Sequence, residues 1–405
     1  MLEAIKHQIQ TISKELEETL WEVAAFIHEH PEIGLEEFLA VERLTDLLET
    51  HGFTIERGIA GLETAFRASY ELDGITRPTI AFIAEYDALP EIGHACGHNL
   101  IATISAGAGI VLSKLSKELQ GRILVLGTPA EEGIGGKIPM VRRGTFDEID
   151  AAMMVHPGDK DVKRRWNLAA CMVDIEFRGK AAHAASEPHE GVNALDAMIH
   201  LFHTIGLLRQ QVTADVRIHG IITHGGTAAN VIPEYTRAQF IVRAAELSRM
   251  YAVLDQFNNC VKGAALVTGT QETIHINTER LYEPLLTNNV LMECYADNMR
   301  LLGVEVEEQS PFELGGSSDI GNVSQVVPAI HPTGSIVDGG QQLTCHSREF
   351  TIAAKTARAK LGMLRGIQAL AMCGADLLGN PAVLEAVKHE FQQTSARRTS
   401  FPNTP

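Results

Sequence analysis

One passage, residues 79–115, constrains the fold more than any other. The apolar run Thr79-Ile80-Ala81-Phe82-Ile83 leads into A-E-Y-D-A-L-P-E-I-G-H-A-C-G-H-N-L over 84–100, and a helix of small residues is predicted from about Asn99 to Leu115. A strand that opens through a loop into a helix is the unit of an open α/β sheet, which presents its polar residues at the carboxyl ends of its strands. His94, Cys96 and His98 fall in that loop. A single cysteine is ordinarily a small buried hydrophobe, but His-x-Cys-x-His with acidic residues just upstream suits a metal site.

At 405 residues the chain exceeds what one core usually supports, so two domains are expected. Apolar residues at helical spacing (Ile5, Ile9, Ile12, Leu16, Leu20, Val23, Phe26) predict a helix over about 3–29 that stops at His30-Pro31, followed by a helix over 35–51 and strands near 53–57, 63–71 and 79–85. Arg122–Thr128 reads as a strand buried on both faces and ends in Pro129-Ala130-Glu131-Glu132-Gly133. The strand Ala151–Val155 ends in His156-Pro157-Gly158. Between 170 and 278 the pattern becomes strand (172–178), helix (191–208), strands (216–223 and 236–243), helix (246–262) and strand (265–276), the β-α-β-β-α-β order of a ferredoxin-like unit.

The α/β style resumes with a helix to about Leu302, a Gly/Ser loop at Gly315-Gly316-Ser317-Ser318-Asp319 and a strand near 326–331. Gly339 to Ser347, containing Cys345 and His346, precedes one long helix over 349–373, and the tail after Gln393 is expected to be poorly ordered. The fold expected is therefore α/β: a mixed sheet flanked by helices, in a domain formed from 1–170 and 279–405, with 171–278 as an inserted domain.

A formal charge of -17 (34 basic against 51 acidic residues) argues against a nucleic-acid surface or an anionic membrane and leaves small molecules or peptides as partners. No apolar run reaches the length of a membrane span, and the amino terminus lacks the pattern of a signal peptide. Six scattered cysteines, without framework spacing, fit free thiols in a cytoplasmic protein.

The strand ends thus deliver Cys96, His98, Glu131, Glu132, His156 and one of Cys345 or His346. Thiolate, imidazole and carboxylate are zinc ligands, and a donor set of this size suits two ions sharing a water better than one. Adjacent glutamates can divide the labour, one binding metal while the other takes a proton from that water.

The pieces H-A-C-G-H-N (94–99), P-A-E-E-G (129–133), H-P-G (156–158), G-K-A-A-H-A-A (179–185), N-V-I-P (230–233), G-S-S-D-I-G-N-V-S (316–324) and C-H-S-R-E-F (345–350) run in order along nearly the whole chain. Together they resemble the co-catalytic metal aminoacylase/carboxypeptidase family. Its amidohydrolase branch, which includes p-aminobenzoyl-glutamate hydrolase and N-acyl amino acid and dipeptide amidases, is the most similar. The resemblance implies two divalent metal ions per chain, zinc first with manganese or cobalt as alternatives, held by Cys96, His98, Glu132, His156 and His346. It implies Glu131 as general base and later acid, and Asp87 as the carboxylate orienting a ligand imidazole. His346 is preferred to Cys345 on the family pattern alone.

The same resemblance makes the inserted domain a lid and dimerisation domain. There His183 and Asn230 are similar to residues that reach a neighbouring subunit's centre and stabilise the oxyanion, and Arg243 matches a position that grips a substrate carboxylate. It implies a homodimer or higher homo-oligomer that cleaves the amide bond of N-acyl amino acids, p-aminobenzoyl-glutamate-like conjugates or dipeptides. Two rivals stay open on the residues. One is a cysteine hydrolase with Cys96 activated by His94 or His98, which leaves the glutamate pair and His156 without a task. The other is an inactive homologue that binds small acyl-amino acids, although every expected position is filled.

Overall fold

In a computed structural model describing residues 2–310 and 315–399, the side chains of the last four excepted, Thr79–Ala84 lies inside a six-stranded sheet. The order is Thr54–Arg57, Phe66–Leu72, Gly121–Gly127, Thr79–Ala84, Ala151–Met153, Ala329–Ile330. The first two strands run antiparallel to their neighbours and the other four are parallel, so the sheet is mixed. Every residue of Thr79–Ala84 is buried, as an uninterrupted apolar strand covered on both faces requires. Because the central strands are parallel, the segments beginning at Glu85, Thr128, Met154 and His331 all leave the sheet at its carboxyl edge.

The helix His98–Ser113 is buried along its whole length and packs against the sheet and against the helix Ala357–Gly379. Its small residues permit that approach: a Cβ on Gly109 would stand 2.7 Å from Val125 Cγ2, and one on Gly107 2.9 Å from Ile367 Cδ1. The chain enters the helix through Gly97, whose φ of +73° is left-handed and whose Cβ would meet Pro157 Cγ at 2.5 Å. Only glycine satisfies both conditions, so the loop carrying Cys96 and His98 is pinned against the segment carrying His156. A smaller sheet, Glu307–Glu308, Val162–Arg164, Thr333–Ser335 and His156–Gly158, continues from the same edge.

By its contacts the chain separates into two compact units, one comprising the residues up to Arg165, from Leu285 and from Asp319 onwards, the other Trp166–Pro284 with the short stretch ending at Ser318. In the second unit, four antiparallel strands lie in the order Gln271–Ile276, Ala169–Arg178, Tyr235–Ala244, Arg217–His224. The helices Ala194–Leu208 and Leu247–Thr268 close its core of Val173, Ile175, Phe177, Met198, Leu201, Phe240 and Phe257. This is the ferredoxin-like arrangement that the β-α-β-β-α-β order predicts.

The helix expected over 3–29 is two, Leu2–Glu15 and Glu17–Glu29, and three further elements differ from expectation. The segment from Ala265 does not start a strand: apolar Ala264 and Ala265 continue the buried face of the preceding helix to Thr268, Gly269 stops it at φ +70°, and the strand begins at Gln271. The long helix over 349–373 is two helices, Arg348–Ala353 and Ala357–Gly379, the second capped by the Thr356 side chain. A helix, Pro381–Thr399, replaces the poor order expected after Gln393, while 400–405 lie outside the described residues. Ala357–Gly379 is long and apolar enough to cross a membrane, and its composition is accounted for by burial of Met363, Ile367, Leu370 and Met372 in the core.

A surface-linked cluster offers a test of the second unit's stability. Asp215 accepts hydrogen bonds from Ala245 N (2.9 Å) and Arg249 Nη1 (2.6 Å), tying the start of one helix to the approach of a strand. Partial burial raises its carboxyl, but hydrogen bonds from Thr213, Ala245 and Arg249 outweigh it and bring the group down to about 2. A depressed carboxyl stabilises the fold above its unfolded value near 3.9 and loses that contribution as pH falls toward the folded value. Asp215→Asn should therefore lower the melting temperature at neutral pH, and the gap to the parent should narrow as pH falls from about 5 to 3.

Candidate metal centre

The carboxyl edge of the sheet assembles the side chains that the motifs single out. Asp87, three residues beyond the strand Thr79–Ala84, is buried and makes two different bonds. Its Oδ1 and its own carbonyl each lie 2.9 Å from His98 Nδ1, while Oδ2 accepts the Glu132 N–H at 2.9 Å. Both partners of Nδ1 are acceptors, so that nitrogen carries a hydrogen and Nε2 is the atom left for a metal. His98 Nε2 is buried without a hydrogen bond, with Glu85 Oε2 3.6 Å away. Asp87 thus orients an imidazole and one of the two glutamate backbones together.

His156 follows the same logic: its Nδ1–H donates to Pro157 O at 2.7 Å, freeing Nε2. His346 arrives from a separate loop held by its own N–H to Ala95 O (2.9 Å), and its Nε2 lies 2.9 Å from Glu132 Oε1. Ligand atoms of Cys96, His98 and His156 lie within 4.8 Å of one another, as do those of Cys96, Glu132 and His346, and those of His98, Glu131 and Glu132. Cys96 belongs to two of these groups and His98 to two. The donors fit divalent metal: sulfur, imidazole nitrogen and carboxylate converge, and His98 Nε2 is buried among them without a hydrogen-bond partner.

The electrostatics divide the glutamates. Burial would raise Glu132, but hydrogen bonds and charge from His346, His98 and Cys96 hold it below the usual carboxylate range. Glu131 is held well above that range, first by burial and then by the charges of Glu85, Asp319 and Glu132. Burial opposes the charged form of His98, yet the Asp87 carboxylate, with Glu85 and Glu132, raises it well above an ordinary histidine.

Beside Glu131 lies a cluster that the sequence reading missed. Lys137, fully buried, places Nζ 2.5 Å from Glu85 Oε1 and 2.6 Å from Asp319 Oδ1, while its backbone N–H donates to Asp319 Oδ2 at 2.9 Å. Oxygens of Glu85, Asp319 and Glu131 lie within 4.8 Å of one another. The signal was a lysine six residues after the glutamate, in Gly135-Gly136-Lys137. Two further polar side chains were also missed. His331 is buried with its ring 5.5 Å from that of His156, edge-on, and Arg165 turns a buried Nη1 inward.

His94 drops out of the ligand set. Its Nε2 bonds to Ile27 O at 3.0 Å, and burial, with the charges of His98 and His28, lowers it to about 3. The Cys96 thiol is pushed up by its hydrogen bond with Cys345, by burial and by the nearby carboxylates. A buried thiol beside carboxylates, with so weak a base as His94 for a neighbour, is poorly prepared as a nucleophile.

His183, Asn230 and Arg243 lie in the second unit. His183 pairs backbone-to-backbone with Val231, and Ala184 N donates to Asn230 O at 3.0 Å, so His183 and Asn230 are brought together and both are exposed. Nδ1 of His183 accepts from Ala185 N and Ser186 N, which leaves Nε2 to carry the hydrogen. Arg243 is half-buried and donates to Ser317 Oγ at 2.7 Å; among the described residues no carboxylate pairs with it.

Residues 167–268 match the model of a peptidase dimerisation domain. An Xaa-Arg dipeptidase of Mus musculus is 36% identical, over 96% of this chain and 93% of its own length. One of the p-aminobenzoyl-glutamate hydrolase polypeptides of Escherichia coli K12 is 34% identical, over 67% of this chain and 60% of its own length. A Bacillus subtilis structure described as a dinuclear metal-binding peptidase of the M20 family shares the fold at a TM-score of 0.64 and 19% identity, covering 87% of this chain and 98% of that one. The chain belongs to the M20 peptidase family and is a hydrolase.

Proposed function

We propose that this protein is a metal-dependent amidohydrolase that cleaves the amide bond of dipeptides or N-acyl amino acids, p-aminobenzoyl-glutamate-like conjugates included. The single observation that carries this reading is that Cys96 belongs at once to the Cys96–His98–His156 and the Cys96–Glu132–His346 groups. A donor shared by two sets of ligands is what a pair of adjacent ions needs. The five side chains would hold two divalent ions, zinc by the softness of the sulfur and imidazole donors, with manganese or cobalt as alternatives. When bound, such ions supply Lewis acidity toward the scissile carbonyl and toward water.

The remaining steps belong to the chain. Asp87 fixes the His98 tautomer and holds the backbone of Glu132, so the ligands are preorganised. Glu131 takes a proton from the attacking water as the C–O bond forms, and returns it to the nitrogen as the C–N bond breaks, releasing an acid and an amine. His183 and Asn230 contribute oxyanion donors across a homodimer, and Arg243 offers a guanidinium to the substrate. Residues 171–278 act as the lid and dimerisation domain, and 1–170 with 279–405 form the catalytic domain. The edge strand Arg217–His224, with Ile221 and Ile222 exposed, supports a dimer surface in that region. Free thiols and the acidic charge support a cytoplasmic protein.

The test is metal content on freshly purified protein, paired with hydrolysis of dipeptides, p-aminobenzoyl-glutamate and N-benzoyl amino acids before and after chelation. We expect about two ions per chain, with activity lost on chelation and restored by zinc, manganese or cobalt. Turnover that resists chelation, together with loss on thiol alkylation, would return Cys96 to the role of nucleophile.

A further inference from the structure

We infer that Glu37 is a positioning residue for Glu131, holding the backbone on one side of it while Asp87 holds the other. This rests on the hydrolase reading above, in which Glu131 moves the proton.

Glu131 stands between two peptide N–H groups, each tied to a buried carboxylate. On its carboxyl side, Glu132 N donates to Asp87 Oδ2 at 2.9 Å. On its amino side, Ala130 N donates to Glu37 Oε1 at 2.8 Å. The other oxygen of Glu37, Oε2, accepts from Thr64 Oγ1 at 2.7 Å, and Thr64 O accepts in turn from the Tyr86 hydroxyl at 2.5 Å. Glu37, Thr64 and Tyr86 are all buried, so the acceptor offered to Ala130 is itself fixed. The segment carrying Glu37 is fastened as well. Glu32 O accepts from Ala88 N at 2.7 Å, one residue beyond Asp87, and the Glu32 carboxylate accepts from Leu39 N and Ala40 N at 3.0 Å each, at the start of the helix Phe38–Thr50. One stretch of chain, 32–40, thus joins the exits of two neighbouring parallel strands, Thr79–Ala84 and Gly121–Gly127.

What Glu37 holds in place is a strained residue. Ala130 has a φ of +57°, in the left-handed region that a Cβ disfavours, and such a residue persists only where its surroundings hold it. Gly34 packs directly on it: a Cβ there would stand 2.7 Å from Ala130 Cβ and 2.8 Å from its Cα. After this turn the two glutamates part, Glu131 toward the oxygens of Glu85 and Asp319, Glu132 toward His346. Released from Glu37, Ala130 would relax toward ordinary backbone and carry Glu131 with it, whereas Glu132 keeps its own anchor on Asp87. A buried carboxyl opposes folding unless it is hydrogen-bonded, and the bond to Ala130 gives this one a task that no apolar residue could perform.

The experiment measures kcat, KM, metal content and thermal melts on the metal-loaded protein, with the same panel of dipeptides and N-benzoyl amino acids. The chains are the parent, Glu37→Gln, Glu37→Asp and Glu37→Ala, each also in the Glu131→Gln background. Glutamine keeps the reach to Ala130 without the charge; aspartate keeps the charge and falls one methylene short. Turnover should follow reach: kcat should drop by about 10- to 100-fold in Glu37→Asp and Glu37→Ala and by no more than about threefold in Glu37→Gln, with KM and metal content close to those of the parent. The aspartate variant, which leaves the smaller gap, carries the test if the alanine variant does not fold. In the Glu131→Gln background the same substitutions should cost less than about threefold, because the group they displace no longer carries a proton. A merely structural role would lower the melting temperature and leave the losses equal in the two backgrounds. The inference is overturned by such equal losses, by an aspartate variant more active than the glutamine one, or by variants as active as the parent. In each of those cases the parent still turns over and the hydrolase reading stands. A fully metallated parent that cleaves nothing in the panel would remove that reading and this inference with it.

Discussion

Glu131→Gln should lower kcat by about 10²–10⁴-fold while leaving KM and the metal content of the protein close to those of the parent. The amide keeps the size and packing of the carboxyl and removes only its capacity to carry a proton. Its neighbour should behave differently. Glu132 is fixed by the Asp87 bond to its N–H and by the 2.9 Å contact of its Oε1 with His346, so it stands among the proposed ligands, and Glu132→Gln should lower the metal content itself. Kinetics and elemental analysis on the two variants therefore separate residues that adjoin in sequence. Equal loss of metal from both would sink the division of labour.

The second large effect concerns stability. Lys137→Met should destabilise the fold by about 3–5 kcal/mol, because it strands two buried carboxylates that the ammonium now compensates. Burial alone would lower the lysine, but the charges of Asp319 and Glu85 outweigh it and raise it above its ordinary value. A raised lysine contributes its stability in full below the unfolded value near 10.4, so the parent loses nothing from this group between pH 5 and 9. In the variant, Glu85 and Asp319 lack their cation, and desolvation lifts the Glu85 carboxyl above its unfolded value near 4. Such a group penalises folding increasingly as pH rises past that value. Urea titrations at about pH 5 and pH 8 should show a larger loss at the higher pH. A variant as stable as the parent at both would show that the cluster contributes nothing to folding.

Much of the centre was legible because strand-end chemistry follows local pattern. An apolar strand followed by Asp87 and the Cys96–His98 loop, a second ending at the glutamate pair and a third at His156 point to one edge of one sheet, since parallel strands share a carboxyl end. The ferredoxin-like unit was legible for the same reason, its alternating strands and helical faces being periodic in sequence. Where local signals compete, the reading failed. Ala264, Ala265 and Val267 suit either a strand or the last turn of a helix, and the helix persists because Ala264 and Ala265 pack into an existing core. At Thr356 the hydroxyl caps a new helix in the middle of a segment whose apolar spacing is continuous.

By itself, the sequence determined the α/β class, the ferredoxin-like insertion and the sulfur, imidazole and carboxylate donors, because each depends on residue type and spacing along one segment. Only the tertiary structure decided which polar groups answer one another across the chain. Lys137 meets Glu85 and Asp319 over separations of 52 and 182 residues, and His346 reaches Glu132 over 214. These pairings arise when the core closes and water leaves, since a buried charge or lone pair must then find a partner in whatever the packed strands have brought within reach.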